Sequence, residues 1–464
     1  MKSNFSLPRI IIGATGSGVG KTTITCGILM ALRKRGLKVA SFKCGPDYID
    51  PMFHRKVLGI PSTNLDLFFT DRETTVYIAH NHGKNMDIGV IEGVMGYYDG
   101  IKGTTTMAST YELARETETP GILIVNGKGK SLSLLAEIKG FLGFREDNNI
   151  KGVIVNNISK SMYGLLKDEI ETLGIKPLGY FPNVEGITLE SRHLGLVSAG
   201  EVKNLQEILE KLGEMAEESL NIDDILSISR QASNLVYPIP KPVETFKKYC
   251  QDNKKQLTIA VAMDKAFNFY YMENLNMLKD LGCKLVKVSP LEDEKLPDNI
   301  DGIILGGGYP ELFGKQLAEN KSFRENLKEK LNNGMPCLAE CGGFMYLHEY
   351  LEDKEGTTFP MVGILKGKVY PLEKLGRFGY IDLTVKEDNF LAAKGTKTKG
   401  HEFHYWESEN PGKVVYGKKP LREKNWDCIV SFKNIFAGFP HIYFWSNPQI
   451  PINYVKKAVE YSKK

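Results

Sequence analysis

Two stretches of this sequence carry residue types that can do phosphate or covalent chemistry. The first is Ala14-Thr-Gly-Ser-Gly-Val-Gly-Lys-Thr-Thr23. It follows the apolar run Arg9–Ile12 and leads into Lys21–Arg35, where Ile24, Ile28, Leu29 and Leu32 fall on one helical face and Gly36 stops the pattern. Strand, Gly-rich turn, Gly-Lys-Thr and helix is the order a phosphate-binding loop requires. Backbone N–H groups of Gly16, Ser17, Gly18, Val19 and Gly20 can wrap phosphate oxygens, because glycine has no Cβ to block them. Lys21 would reach the β- and γ-phosphates and Thr22 would hold Mg²⁺, with Thr23 completing the nucleotide-binding set. The helix N-terminus adds its positive end. The strict pattern expects Gly where Thr15 stands. A Gly-rich turn without nucleotide is the competing reading, and the intact context argues against it.

The second stretch is Pro336-Cys-Leu-Ala-Glu-Cys-Gly-Gly-Phe-Met345. It reads strand, cysteine, glycines, helix, which resembles a nucleophile elbow. The following helix N-terminus is expected to lower the Cys341 thiol pKa, while Cys337 suits a structural position inside the strand. A thiolate nucleophile needs a general base, and His441 in Phe436-Ala-Gly-Phe-Pro-His-Ile-Tyr-Phe444 is the best candidate. An orienting carboxylate two residues later would complete a triad. Tyr443 stands there, so a Cys-His dyad is expected. Leu305-Gly-Gly-Gly-Tyr-Pro-Glu311 ends another strand. The N–H groups of Gly307 and Gly308 could form an oxyanion hole with that of Gly342, or simply a tight turn.

Acidic residues gather near the phosphate loop. Phe42-Lys-Cys-Gly-Pro-Asp-Tyr-Ile-Asp-Pro51 and Ile91-Glu-Gly-Val-Met-Gly-Tyr-Tyr-Asp-Gly100 each follow a buried strand. Lys43, Asp47, Asp50, Glu92 and Asp99 should therefore lie at the carboxyl edge of one parallel sheet, where such folds bind ligands. Hard carboxylates suit Mg²⁺. Four acids exceed what ATP hydrolysis needs and could position a second substrate for phosphoryl transfer. Arg192, His193 and Arg377 are natural partners for a flat, multiply acidic ligand, and interdomain packing explains them equally well. His401 and His404 are spaced i, i+3 without an evident third ligand, so no metal is expected there.

The elements that position these residues form two series. Short apolar runs at Val39–Phe42, Ile88–Ile91, Ile122–Val125 and Val153–Val155 alternate with helical stretches, which implies a parallel sheet covered on both faces. The pattern fades after about Leu226, and residues 227–254, with Pro238, Pro240 and Pro242, read as a linker. A second series runs through Leu257–Ala262, Leu285–Val288, Ile303–Leu305 and Pro336–Ala339. The expectation is two α/β domains, 1–226 and 255–464. A chain of 464 residues supports two cores. Lys+Arg 60 against Asp+Glu 56 points to neither nucleic acid nor a membrane surface. No apolar run approaches the roughly 20 residues of a membrane span, and Met1–Pro8 lacks a signal-peptide core. Seven cysteines without metal-ligand spacing suggest reduced thiols in the cytoplasm.

Together these motifs resemble the cobyrinic acid a,c-diamide synthase family, in the cobyrinate/cobyric-acid branch of glutamine amidotransferases. The stretches that carry the resemblance are GSGVGKTT, FKCGPDYIDP, IEGVMGYYDG, RHLGL, FNFYY, LGGGYPEL, AECGGFMYL, RFGY and GHEFHY, in the family's order from about residue 9 to 445. The resemblance implies a first domain similar to dethiobiotin synthetase and a second similar to a class I, flavodoxin-like glutaminase. It implies Cys341 as glutaminase nucleophile and His441 as its base. Lys21, Thr22, Asp47 and Glu92 would serve ATP and Mg²⁺, with Thr22, Asp47 and Glu92 as the metal set. Asp50 and Asp99 would act in substrate binding or amidation, and Lys43, Arg192, His193 and Arg377 in holding the acidic substrate. Asn126 stands where many relatives have Asp.

The implied reaction is amidation of the a and c acetate carboxylates of cobyrinic acid through acyl phosphates. It makes the chain a C–N ligase with L-glutamine as nitrogen donor and a tetrapyrrole or corrinoid polycarboxylate as acceptor. Nickel sirohydrochlorin, on the coenzyme F430 route, and hydrogenobyrinic acid are alternative acceptors. A P-loop regulatory or maturation ATPase without glutaminase activity is the alternative from another class. A homodimer stays open.

Overall fold

The run that begins at Arg9 forms the strand Arg9–Ala14, all of it buried. In this computed structural model, which describes residues 2–183, 199–252 and 256–463, the chain divides into two units, Met1–Pro240 and Lys241–Lys464.

In the first unit Arg9–Ala14 is the centre of a seven-stranded sheet. Its order is Ser62–Leu65, Val39–Cys44, Ile88–Glu92, Arg9–Ala14, Gly121–Asn126, Ile150–Asn156, Lys176–Phe181. Every neighbouring pair is parallel. Parallel strands buried on both faces tolerate continuous Ile/Val runs, which is why these segments do not alternate with polar residues. The register aligns Ile12 with Glu92 and Lys43 with Glu92, so the loops after three strands meet at one edge. Helix Lys21–Lys34 buries Ile24, Ile28, Leu29 and Leu32 against the sheet, and Gly36 at φ 79° follows its end.

Residues 227–252 carry regular structure of their own. Leu235–Pro238 pairs antiparallel with Lys2–Phe5, and helix Lys241–Asp252 opens the second unit with Pro242 in its first turn, where a missing N–H costs little.

The second unit has a six-stranded sheet, ordered Cys283–Val288, Leu257–Ala262, Gly302–Leu305, Cys337–Glu340, Ile435–Gly438, Val430–Phe432. All pairs are parallel except the last. Phe323, Phe344 and Met345 pack its core with Ile303 and Ala339. Among the described residues three smaller sheets add to it, a two-stranded antiparallel one, a mixed four-stranded one and an antiparallel five-stranded one, and the sequence pattern did not reveal them. One contains Arg377–Val385, Lys397–His404 and His441–Ile442. Many of their residues are half-buried, so the apolar signal that marks a parallel core strand is weak. Among the described residues, no helix is long and apolar enough to cross a membrane.

Candidate active sites

The loop after Arg9–Ala14 has the conformation its glycines allow. Gly18 and Gly20 lie at φ 74° and 96°, in the left-handed region. A Cβ on Gly20 would sit 2.3 Å from Asn156 Nδ2, the same amide that donates to Val19 O at 2.8 Å. Asn156 ends Ile150–Asn156, the next strand but one in the sheet, and so pins the loop from there. Ser17 and Gly18 are exposed, while Val19 is buried as an anchor. Lys21 Nζ donates to Gly16 O at 3.2 Å and to Met95 O at 2.5 Å, folding back over the loop. Burial, then the nearby Lys43, pushes Lys21 down to about 8. An anion bound there would favour its charged form. Thr23 follows, partly exposed, in the first helical turn.

Beside the loop is a buried ionic cluster. Lys43 Nζ donates to Glu92 Oε1 at 2.9 Å and to Asp50 Oδ2, and lies 4.0 Å from Asp47 Oδ2. The Thr22 hydroxyl donates to the same Glu92 oxygen at 2.7 Å. Burial alone would lower the Lys43 pKa, but Asp50, Glu92 and Asp47 override it and hold the ammonium charged. Burial would likewise raise Asp50, yet Lys43 keeps it ionised, well below the usual carboxylate range. Glu92 is fully enclosed, and burial followed by the charge of Asp50 pushes it up to about 7. Burial and Asp50 also push Asp47 upward, although 32% of its side chain remains exposed and water screens it. Asp47 accepts from the N–H of Ile49 at 3.0 Å, taking up a free N–H at the start of the helix Ile49–Lys56.

The donor set fits Mg²⁺. Thr22 and Glu92 present hard oxygens, Asp47 lies beside the same lysine, and Glu92 Oε2 accepts no hydrogen bond among the described residues. A cation would reverse the upward push on Glu92. Among the described residues no group of three or more His, Cys, Asp or Glu could hold a metal by itself.

Asp99 is placed differently from the other three acids. It is exposed and accepts from Gly96 N at 2.9 Å, shaping its own loop, and its charge acts on Lys21. Arg192 and His193 lie outside the described residues. Arg377 is in the second unit, where Glu407 Oε2 stands 3.3 Å from it and its guanidinium lies 5.2 Å over the Trp426 ring. Its charge is thus already partnered within the second unit.

In the second unit Cys341 sits between strand Cys337–Glu340 and the short helix Gly342–Tyr346, at φ 48° and ψ −105°. Few non-glycine residues adopt that geometry, and a nucleophile elbow is one reason to hold it. A Cβ on Gly343 would fall 2.2 Å from Leu305 O, so the turn can close only over glycine. Gly307 is equally confined: a Cβ there would lie 2.4 Å from His441 Cε1, 2.9 Å from His441 Nε2 and 3.4 Å from Cys341 Cβ. The imidazole, the cysteine and this glycine therefore converge on one point. Gly308 and Gly342 adjoin it, since a Cβ on Gly342 would be 3.1 Å from Gly308 N.

One expectation is corrected. Burial pushes the Cys341 thiol up, with Glu311 adding to it, and the Gly342 N–H only partly opposes this. A helix of five residues has too little dipole to outweigh enclosure. A thiol held in this way would need a base at hand to act as a nucleophile.

Sequence reasoning missed two residues. Glu340 Oε2 lies 3.6 Å from His441 Nδ1, and Glu340 Oε1 accepts from Ile442 N at 2.9 Å. Tyr443, where a carboxylate was sought, packs edge-on against Tyr271. The missing signal was simple adjacency: Glu340 directly precedes the nucleophile. His54 is wholly buried, with Nε2 3.6 Å from Glu92 Oε2 and Nδ1 2.8 Å from Ser41 Oγ. Its spacing of four from Asp50 on one helix was a legible hint.

Comparison with known proteins matches one domain family to each part of the chain. Residues 10–197 match the CobQ/CobB/MinD/ParA nucleotide binding domain, and residues 258–449 the CobB/CobQ-like glutamine amidotransferase domain. The chain is 43% identical over 445 residues to a cobyrinate a,c-diamide synthase of Clostridium acetobutylicum, covering 94% of this chain and 97% of that protein. It is 42% identical to the protein of that name from Thermoplasma volcanium, covering 99% of each. The corresponding protein of Caldanaerobacter subterraneus is 38% identical, covering 98% of this chain and 99% of its own length.

Proposed function

The chain belongs to the cobyrinate a,c-diamide synthase family, and from that premise we propose that it amidates the a and c acetate carboxylates of cobyrinic acid, using ATP and glutamine. It is a glutamine-dependent amidating ligase with a nucleotide-binding domain and a glutamine amidotransferase domain. The observation that carries the residue-level reading is the convergence of Cys341 and His441 on Gly307.

In the glutaminase half, His441 takes the Cys341 proton as the sulfur attacks the glutamine side-chain amide. Because burial disfavours a standing thiolate, proton transfer and attack go together. N–H groups of Gly307, Gly308 and Gly342 are the candidates to hold the resulting oxyanion. Ammonia leaves, and water releases glutamate.

In the ligase half, the loop N–H groups and Lys21 bind the nucleotide phosphates. Mg²⁺, held by Thr22, Asp47 and Glu92, would supply charge neutralisation across the transferring phosphoryl group. Lys43 keeps Asp50 ionised and aligned near the phosphates. Asp50 and Asp99 are the candidates to position the acceptor carboxylate. Phosphorylation turns that carboxylate into an electrophile with a good leaving group, and ammonia displaces phosphate to give the amide. Arg192 and His193 remain candidates for the acceptor's other carboxylates. Seven free cysteines support a reducing, cytoplasmic setting.

The test is mass-spectrometric amidation with ATP, Mg²⁺ and glutamine, offering cobyrinic acid and nickel sirohydrochlorin in parallel. Two OH-to-NH₂ exchanges on cobyrinic acid are expected. Exchange only on nickel sirohydrochlorin would overturn the acceptor and keep the chemistry. The variant Cys341→Ala should lose glutamine-dependent turnover and keep turnover with ammonium. Loss of both in a folded protein would refute this division of labour.

A further inference from the structure

The glutaminase reading leaves His441 without an assigned orienting group, because the position two residues beyond it is a tyrosine. The structure supplies a carboxylate from elsewhere. Strand Cys337–Glu340 runs parallel to Ile435–Gly438, with Glu340 opposite Gly438. This register delivers Glu340 to the start of the segment that carries His441. Glu340 Oε1 is fixed by the Ile442 N–H at 2.9 Å, which leaves Oε2 toward His441 Nδ1 at 3.6 Å. The Glu340 side chain is 11% exposed and that of His441 3%, so the pair is sheltered from competing water. Cε1 and Nε2 of the ring lie beside Gly307, where an added Cβ would also be 3.4 Å from the Cys341 Cβ.

We propose that Glu340 is the positioning residue of the glutaminase site, holding the His441 ring by Nδ1 so that Nε2 faces Cys341, and thereby completing a Cys-His-Glu arrangement whose acid immediately precedes the nucleophile. This rests on the reading of Cys341 and His441 as nucleophile and base. The separation of 3.6 Å is longer than a hydrogen bond and closes with a small rotation of the ring or carboxylate. Such contacts tighten when the reaction complex forms. A held Nδ1–H fixes the tautomer in which Nε2 is free to accept the thiol proton, and the carboxylate offsets the charge the ring then carries. The titratable groups that face His441 are Cys341, Glu340, His401 and His404. Of these, Glu340 brings its carboxylate Oε2 to 3.6 Å from Nδ1 of the ring.

The experiment measures glutamine hydrolysis and the rate of Cys341 alkylation by iodoacetamide across pH, in the full-length protein. It compares the native protein with Glu340→Gln, Glu340→Asp, His441→Ala and the double variant Glu340→Gln/His441→Ala. Glu340→Gln keeps an acceptor for Ile442 N and removes the charge. Its kcat should fall at least about tenfold with little change in KM for glutamine, and Glu340→Asp should recover part of the loss. Its pH profile should move to lower pH, because losing a nearby negative charge makes neighbouring protons easier to remove. In the His441→Ala background, Glu340→Gln should cost nothing further in alkylation rate.

Native hydrolysis that vanishes in Cys341→Ala confirms the underlying reading. If that control behaves and Glu340→Gln keeps kcat within about twofold, the proposal fails alone. If Glu340→Gln costs the same factor with and without His441, the residue is merely structural and the proposal also fails. A protein whose hydrolysis survives Cys341→Ala would instead remove the reading beneath it.

Discussion

Lys43 Nζ stands 2.9 Å from Glu92 Oε1, and that one oxygen also receives the Thr22 hydroxyl at 2.7 Å. A single buried carboxylate oxygen thus joins the first turn of the nucleotide-binding helix to the neighbouring strand. Lys43 neutralises the cluster before any ligand arrives. Replacing it by methionine keeps the volume and leaves Asp50 and Glu92 as buried, unpaired acids. Lys43→Met should destabilise the first unit by about 3–5 kcal/mol, read by urea unfolding. A loss under about 1 kcal/mol would mean that water reaches the cluster.

The loop beside it has little room. Gly20→Ala would force a non-glycine residue to φ 96° and bring its Cβ to 2.3 Å from Asn156 Nδ2. The left-handed conformation alone costs about 1–2 kcal/mol. Nucleotide affinity should therefore drop at least about tenfold in calorimetric titration, with glutamine hydrolysis retained. Unchanged affinity would show that Asn156 does not position the loop.

Gly307 gives the parallel case in the second unit. A methyl group there would meet His441 Cε1 at 2.4 Å and must displace the ring. Gly307→Ala should reduce glutaminase kcat by roughly 100-fold while ammonium-supported amidation continues. Full glutaminase activity would place the base elsewhere.

His54 makes the first unit acid-sensitive. Burial lowers it to about 4, against an ordinary value near 6.5. Below about 6.5 the unfolded chain takes up a proton that the folded chain refuses until about 4. Stability is therefore lost as pH falls through this window. His54→Asn cannot lose stability this way. The native protein's advantage over the variant should shrink by about 2 kcal/mol between about pH 7.5 and about pH 5, measured by unfolding at each pH. An advantage that grows on acidification would mean the ring is charged in the fold.

Both candidate motifs were legible in the chain because they are local. Lys21 and Thr22 must follow Gly20 by sequence, and Cys341 must precede Gly342 and Gly343. The strand before the phosphate loop announced itself as a buried Ile run, Leu257–Ala262 in the second unit was readable to the residue, and the helix predicted over Lys21–Arg35 extends over Lys21–Lys34. The antiparallel strands around Arg377 and His401 were not legible, because their partly exposed residues lack a strong period.

The sequence by itself determined the two chemistries, since spacing along the chain fixes which atoms a turn can present. Only the tertiary structure decided which charges face each other. Sheet register brings Glu340 to His441 across 101 positions, as the same ion-pair geometry records, and brings Lys43 to Glu92 across 49. Enclosure, which no local pattern reports, pushes the Cys341 thiol up rather than down. Partnership and burial belong to the packed chain, because both depend on what the other strands place alongside.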